Sequence, residues 1–286
     1  MNTITFGKKS FQIPGNWNEL TSAQLILLAQ AFGTSAELEE IKIKLLFYFT
    51  GIRVLRKKSI TVDNQPCYWL KYKNKSFIVP AYSLSFVTKP FISFFKQENE
   101  AFIINPLLTR QLLPEIKISF RKQIYGPSDG LSNLTFAEFI HAETAYAQYL
   151  KTNDEKQIDR LIAILYRPAG KIKPGDKNWN GDIREPFNDY LIDEYAGALL
   201  KINPTLKRAI RWYYEGCKVH ISQLFPFVFK KGQGSGQQSD TFRNFISIVD
   251  ELAGNNPAEH DRIMHVQLYT ALNSLNQRIE KTYKHG

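Results

Sequence analysis

Cysteine is nearly absent, with two residues, Cys67 and Cys217, in 286. Two thiols cannot staple a chain of this size, and neither sits in a C-x-x-C pair or among clustered histidines, which excludes a disulfide scaffold and a sequence-encoded zinc site. A reducing compartment suits them. No apolar run approaches the roughly 20 residues that cross a bilayer, so no membrane insertion is expected. Residues 1–9 lead into no apolar run or small-residue cleavage site, so no conventional secretory signal is expected either. Glycine (16) and proline (13) are too sparse for a collagen-like or Pro/Gly-dominated chain.

Motifs that carry chemistry are also missing. There is no HExxH, GxSxG or acidic metal-loop pattern. His141, His220, His260, His265 and His285 are scattered, and His260 and His265 stand five apart, off one face of a helix. Two local pairs remain. Asp189 and Asp193 have helical spacing, but paired acids without a partner motif usually form a solvated helix side. Cys217 and His220 could form a thiolate couple if exposed, yet their aromatic surroundings favour burial. No catalytic, cofactor-binding or metal-ligating residue is therefore assigned, no cofactor is expected, and the chain reads as a non-enzyme.

Positive charge and aromatic rings are what the chain has in quantity. Thirty-seven Lys and Arg oppose 27 Asp and Glu, a net +10. The excess is concentrated in residues 41–75, where nine cations face Asp63 alone. Its densest run holds Arg53, Arg56, Lys57 and Lys58. A solvated turn edge is the plain account of that run. A partner-facing patch for an acidic protein surface, or for phosphates read without sequence preference, is the functional one. Twenty Phe, 14 Tyr and 4 Trp supply large side chains for cores or for contact surfaces.

Periodicity predicts an α+β chain: small antiparallel strands within a mixed N-terminal region, then a mainly helical remainder. A hairpin is expected over 3–13, helices over 22–32 and 36–49, and a strand meander over 59–79 in which Tyr68, Leu70 and Tyr72 share one parity. Pro90, Pro106 and Pro114 fragment the aromatic stretch that follows. The 126–130 segment, Gly-Pro-Ser-Asp-Gly, reads as a linker. Thr135 and Glu138 form a capping-box pattern, and two helices over 136–150 and 155–166 make a helical hairpin. Residues 169–187 read as a polar loop anchored by a buried Trp179. The expected division is 1–130, a mixed domain; 131–229, a helical domain; 230–241, a flexible Gly/Ser/Gln linker; and 242–286, a C-terminal helical segment. Trp17, Phe136, Phe139, Leu161, Tyr166 and Trp179 are the expected packing residues.

Three segments carry a resemblance: Ile-Pro-Gly-Asn-Trp-Asn-Glu-Leu-Thr over 13–21, Gly-Leu-Ser-Asn-Leu-Thr-Phe-Ala-Glu-Phe-Ile-His-Ala-Glu-Thr over 130–144, and Asp-Arg-Leu-Ile-Ala-Ile-Leu-Tyr-Arg-Pro over 159–168. In this order, over about the first two-thirds of the chain, they resemble uncharacterised tail or virion-module proteins of Bacteroidetes-type phages and prophages. The resemblance implies a virion component or tail assembly chaperone with no family catalytic residues to carry over. Its expected partners are other phage virion or assembly proteins, with self-association as a second mode. The expected location is the host cytoplasm during assembly, and the virion if the protein stays in the particle. The alternative is a nucleic-acid-binding phage accessory protein using the basic 41–75 region.

Overall fold

Alternation along short strands builds the first elements. In this computed structural model, which describes residues 1–6, 9–34, 37–55, 60–62, 65–99, 101–120, 122–229, 246–247, 249–250, 253–254 and 256–285, the chain is α+β with small antiparallel sheets and predominant helix. β1 (Asn2–Phe6) and β2 (Lys9–Ile13) pair with Thr3 opposite Gln12 and Thr5 opposite Ser10, and bury Ile4 and Ile13. Asn16 caps the next single turn by accepting from the amides of Asn18 and Glu19, which seats Trp17 in the core, edge-on to Phe94.

Thr21 and Gln24 cap each other's amides at the start of α1 (Ser22–Thr34), whose Leu25, Leu28 and Ala29 are buried. α2 (Leu38–Thr50) buries Ile41, Leu45 and Leu46 and ends on a left-handed Gly51. A small sheet follows. β3 (Arg53–Val54) and β4 (Ile60–Val62) lie along one edge of β5 (Gln65–Tyr72), and β6 (Lys75–Pro80) lies along the other. α3 (Ala81–Val87), a 3-10 segment (Lys89–Phe94) that buries Phe91 and Phe94, and the hairpin of β7 (Phe95–Glu98) with β8 (Ala101–Ile104) complete a first compact unit, Met1–Leu107.

The second unit, Leu108–Gly286, centres on a helical hairpin. α4 (Phe136–Thr152) opens on the full capping box: the Glu138 amide donates to Thr135 Oγ1, and the Thr135 amide donates to Glu138 Oε2 at 2.6 Å. Left-handed Asn153 and the cap residue Asp154 reverse the chain into α5 (Glu155–Leu165), which buries Ile158, Leu161, Ile162 and Leu165. The hairpin of β9 (Glu115–Ser119) and β10 (Lys122–Tyr125) precedes these helices, and α6 (Ile192–Leu199), the 21-residue α7 (Pro204–Leu224), α8 (Pro257–Met264) and α9 (Leu268–His285) follow.

The division differs from the expected one. The boundary falls between Leu107 and Leu108, not near Gly130. Residues 126–130 are packed, not a linker: Tyr213 donates to the Ser128 carbonyl at 2.7 Å, Tyr269 donates to the Gly130 carbonyl at 2.8 Å, and the Gln111 amide donates to Asp129 at 2.7 Å. Nor do the last helices form a separate segment, because the Phe136 amide donates to the Val266 carbonyl and the Leu268 amide to the Leu134 carbonyl, tying α9 to the start of α4. The 230–241 tract lies outside the described residues.

Gly216 sits inside α7, where glycine weakens a helix by about 1 kcal/mol relative to alanine. Close approach explains it: a Cβ there would lie 2.4 Å from both the backbone N and O of Leu108. Gly216→Ala should therefore lower the unfolding free energy by about 1–3 kcal/mol despite the propensity gain. Gly197→Ala in α6, where a Cβ meets nothing within 4 Å, should raise it by about 0.5–1 kcal/mol. Denaturant midpoints at constant m-value check the opposite signs.

Candidate docking face

Strand parity sorts the small sheet of the first unit into two faces. Tyr68, Leu70 and Tyr72 point one way, and that face is covered: Leu70 is fully buried, and Phe11 of β2 meets the Tyr72 ring edge-on at 5.0 Å. Lys9 Nζ lies 4.3 Å from the centre of the same ring. Trp69 and Lys71 belong to the opposite face. Trp69 stands opposite Ile78 on β6, and the Leu55 amide donates to the Trp69 carbonyl from the other side at 2.8 Å. Leu55, Trp69 and Ile78 form a row across three chain segments, 43%, 41% and 51% exposed.

The next row along the strands is polar and positive. Arg53 faces Lys71 across β3 and β5, and Lys71 faces Ser76 on β6; all three are exposed. Like charges placed directly opposite in an antiparallel pair destabilise it. Neither cation has an ion-pair partner among the described residues. At the other end the face closes on Cys67, which is 3% exposed opposite Pro80 and Ile60. The site is thus an apolar row about 10 Å long, two strand spacings, bordered by two cations that no carboxylate among the described residues neutralises.

Of the basic run read from the sequence, Arg53 is placed here, while Arg56, Lys57 and Lys58 lie outside the described residues. Trp69, Ile78 and Leu55 were not among the expected contact residues. The signal for Trp69 was its parity, opposite to the Tyr68–Leu70–Tyr72 set, in a strand flanked by lysines. Trp17, Phe136, Phe139, Leu161 and Tyr166 are all buried. Trp179 is only half-buried, not the buried residue expected. The loop is pinned instead by Arg184, fully paired beneath it: Nη1 donates to the Leu165 carbonyl at 2.9 Å and Nη2 to Asp182 at 2.6 Å.

The polar groups of the second unit mostly answer one another. Between α4 and α7, Tyr214 donates to Glu143 at 2.6 Å, Lys218 pairs with the other Glu143 oxygen at 2.6 Å, and Tyr146 donates to Glu215 at 2.9 Å. Burial pushes the Glu215 carboxyl above its usual range, opposed by the Arg211 charge and the Tyr146 hydrogen bond. A cleft of about 490 Å³ is lined by Tyr149, Lys207, Arg208 and Arg211, but Lys207 pairs with Asp159, and Arg211 pairs with Glu215 and donates to Tyr149.

The two candidate chemical pairs make other contacts in the fold. Asp189 lies in a 3-10 turn and Asp193 in the first turn of α6, and Asp193 faces Arg160 at 3.4 Å. Burial pushes the Cys217 thiol up to about 12, which favours its protonated form, and its sulfur faces the Leu108 carbonyl at 3.8 Å. Burial also lowers the pKa of His141, whose ring packs on Phe187.

Among the described residues, no group of three or more His, Cys, Asp or Glu is placed to hold a metal ion, and no helix is long and apolar enough to cross a membrane. Comparisons with protein-family models, with curated proteins and with solved structures match nothing to this chain.

Proposed function

We propose that this chain is a non-enzymatic bacteriophage structural or assembly protein, a tail or virion component or a tail assembly chaperone, that acts by docking on other phage proteins in the host cytoplasm during assembly. The exposed Leu55–Trp69–Ile78 row carries the reading. A sheet ordinarily buries an apolar face, and a row of large side chains left in water marks a surface shaped for another protein. Tryptophan supports it further, being among the residues that most often dominate the energy of an interface. Docking by shape and charge needs no covalent chemistry.

The test is co-purification of the full chain with phage particles or particle precursors, followed by imaging of those particles. Association that survives about 0.5 M salt is expected, because apolar burial is not screened. A compact monomer with no affinity for any particle protein would sink the reading. So would binding to an oligonucleotide that falls steeply with salt while particle association is absent, which would favour the basic region as a nucleic-acid contact.

A further inference from the structure

We infer that the partner surface received by the β3–β5–β6 face is itself acidic and apolar: a protein segment presenting aliphatic or aromatic side chains beside Asp or Glu. This deepens the docking reading and rests on it. The row of Leu55, Trp69 and Ile78 asks for apolar cover. One residue pair along the strands, about 7 Å away, Arg53 and Lys71 face each other, and among the described residues no carboxylate answers them. Such a like-charge pair costs the free sheet stability, and an anion arriving between them relieves it. One partner can satisfy both rows if its own apolar and acidic residues are similarly spaced.

A second copy of this chain fits poorly. Two-fold self-docking with its axis along the strands would bring Arg53 and Lys71 of both copies together, and with its axis along the row would set them against the Cys67 end, which offers no carboxylate among the described residues, within a chain whose net charge is +10. A nucleic acid would satisfy the cations and could stack on Trp69, but it would leave Leu55 and Ile78 without an aliphatic complement. The mixed row favours protein.

The probe is a fluorescein-labelled synthetic peptide of alternating Glu and Val, titrated into the full chain by fluorescence anisotropy. A Lys-Val peptide of equal length and an oligothymidylate are run beside it. Saturable binding of the Glu-Val peptide is expected, with none of the Lys-Val peptide. Trp69→Ala should weaken it at least tenfold, as loss of an interface anchor does. Arg53→Glu with Lys71→Glu should weaken it about tenfold or more at low salt and remove most of its salt dependence. Trp69 is exposed, so the unfolding midpoint of Trp69→Ala reports whether the variant stays folded.

Peptide affinity unchanged in both variants, or no peptide binding at all, overturns the inference. Oligothymidylate binding that the charge reversals abolish and Trp69→Ala spares also overturns it, by assigning the patch to phosphate. A dimer dissolved by Trp69→Ala would assign it to a second copy. The two readings fail separately. If the wild-type chain and both variants all travel with particles, docking stands and this face falls; if the wild-type chain never associates, docking itself falls.

Discussion

Replacing Glu138 with alanine should cost about 3–5 kcal/mol of unfolding free energy, the range seen when one partner is removed from a buried ion pair. Glu138 is 1% exposed and serves two structures at once. One carboxylate oxygen accepts the Thr135 amide and closes the capping box of α4. The other pairs with Arg167 and lies 3.6 Å from Arg184. Both guanidinium groups are buried, and they also donate to the carbonyls of Ile164, Leu165 and Glu185, so the cluster ties the start of α4, the exit of α5 and the following loop. Burial pulls the Arg167 pKa below its ordinary value, while the Glu138 charge works to hold it up.

With alanine in place, Arg184 keeps Asp182, Arg167 loses the carboxylate it pairs with, and the Thr135 amide loses its acceptor. Glu138→Gln keeps an acceptor for that amide and loses only the charge, so its cost should fall between wild type and alanine. Equilibrium denaturation of the three proteins at pH 7 checks the order. Equal stability of wild type and alanine would remove the ion cluster from the account of this fold.

Much of this cluster's neighbourhood is legible in the sequence, and its most important contact is not. Thr135 and Glu138 stand three apart ahead of an apolar run, so the cap declares itself locally. Leu161 and Leu165 repeat at helical spacing, and α5 follows. Arg167 and Arg184 are different: nothing within either's sequence window says that both will meet the carboxylate at 138, because loop closure brings them there. The same limit applies to Gly216, which looks like a blemish in α7 until Leu108, more than a hundred residues earlier, is seen against it. It moved the boundary as well. The turn-rich 126–130 sequence looks like a linker because its own residues offer no core, while Tyr166, Tyr213 and Tyr269 arrive from distant helices to cover it. The hairpins β7–β8 and β9–β10 were hidden by prolines and short length. On the docking face, alternation was readable and burial was not: parity separates Trp69 from Leu70, but only Phe11 packing on Tyr72 reveals which side stays open.

Phe136→Ala against Trp179→Ala puts that distinction between composition and burial to measurement. Both are aromatic residues that the sequence alone would assign to packing. Phe136 is completely buried at the first position of α4, and its amide donates to the Val266 carbonyl where the chain enters α9. Truncation there removes a ring and leaves a cavity at the junction of two helix starts, and should cost about 3–5 kcal/mol. Trp179 is half-buried in a turn that closes through its own backbone, the Trp179 amide donating to the Asp176 carbonyl at 2.9 Å. Its indole forms no necessary part of that closure, and Trp179→Ala should stay within about 1 kcal/mol of wild type. Denaturant midpoints with matching m-values test both. A Trp179 loss as large as that of Phe136 would return the anchoring of the loop from Arg184 to the indole, whereas a negligible Phe136 loss would mean that α9 does not pack on the start of α4.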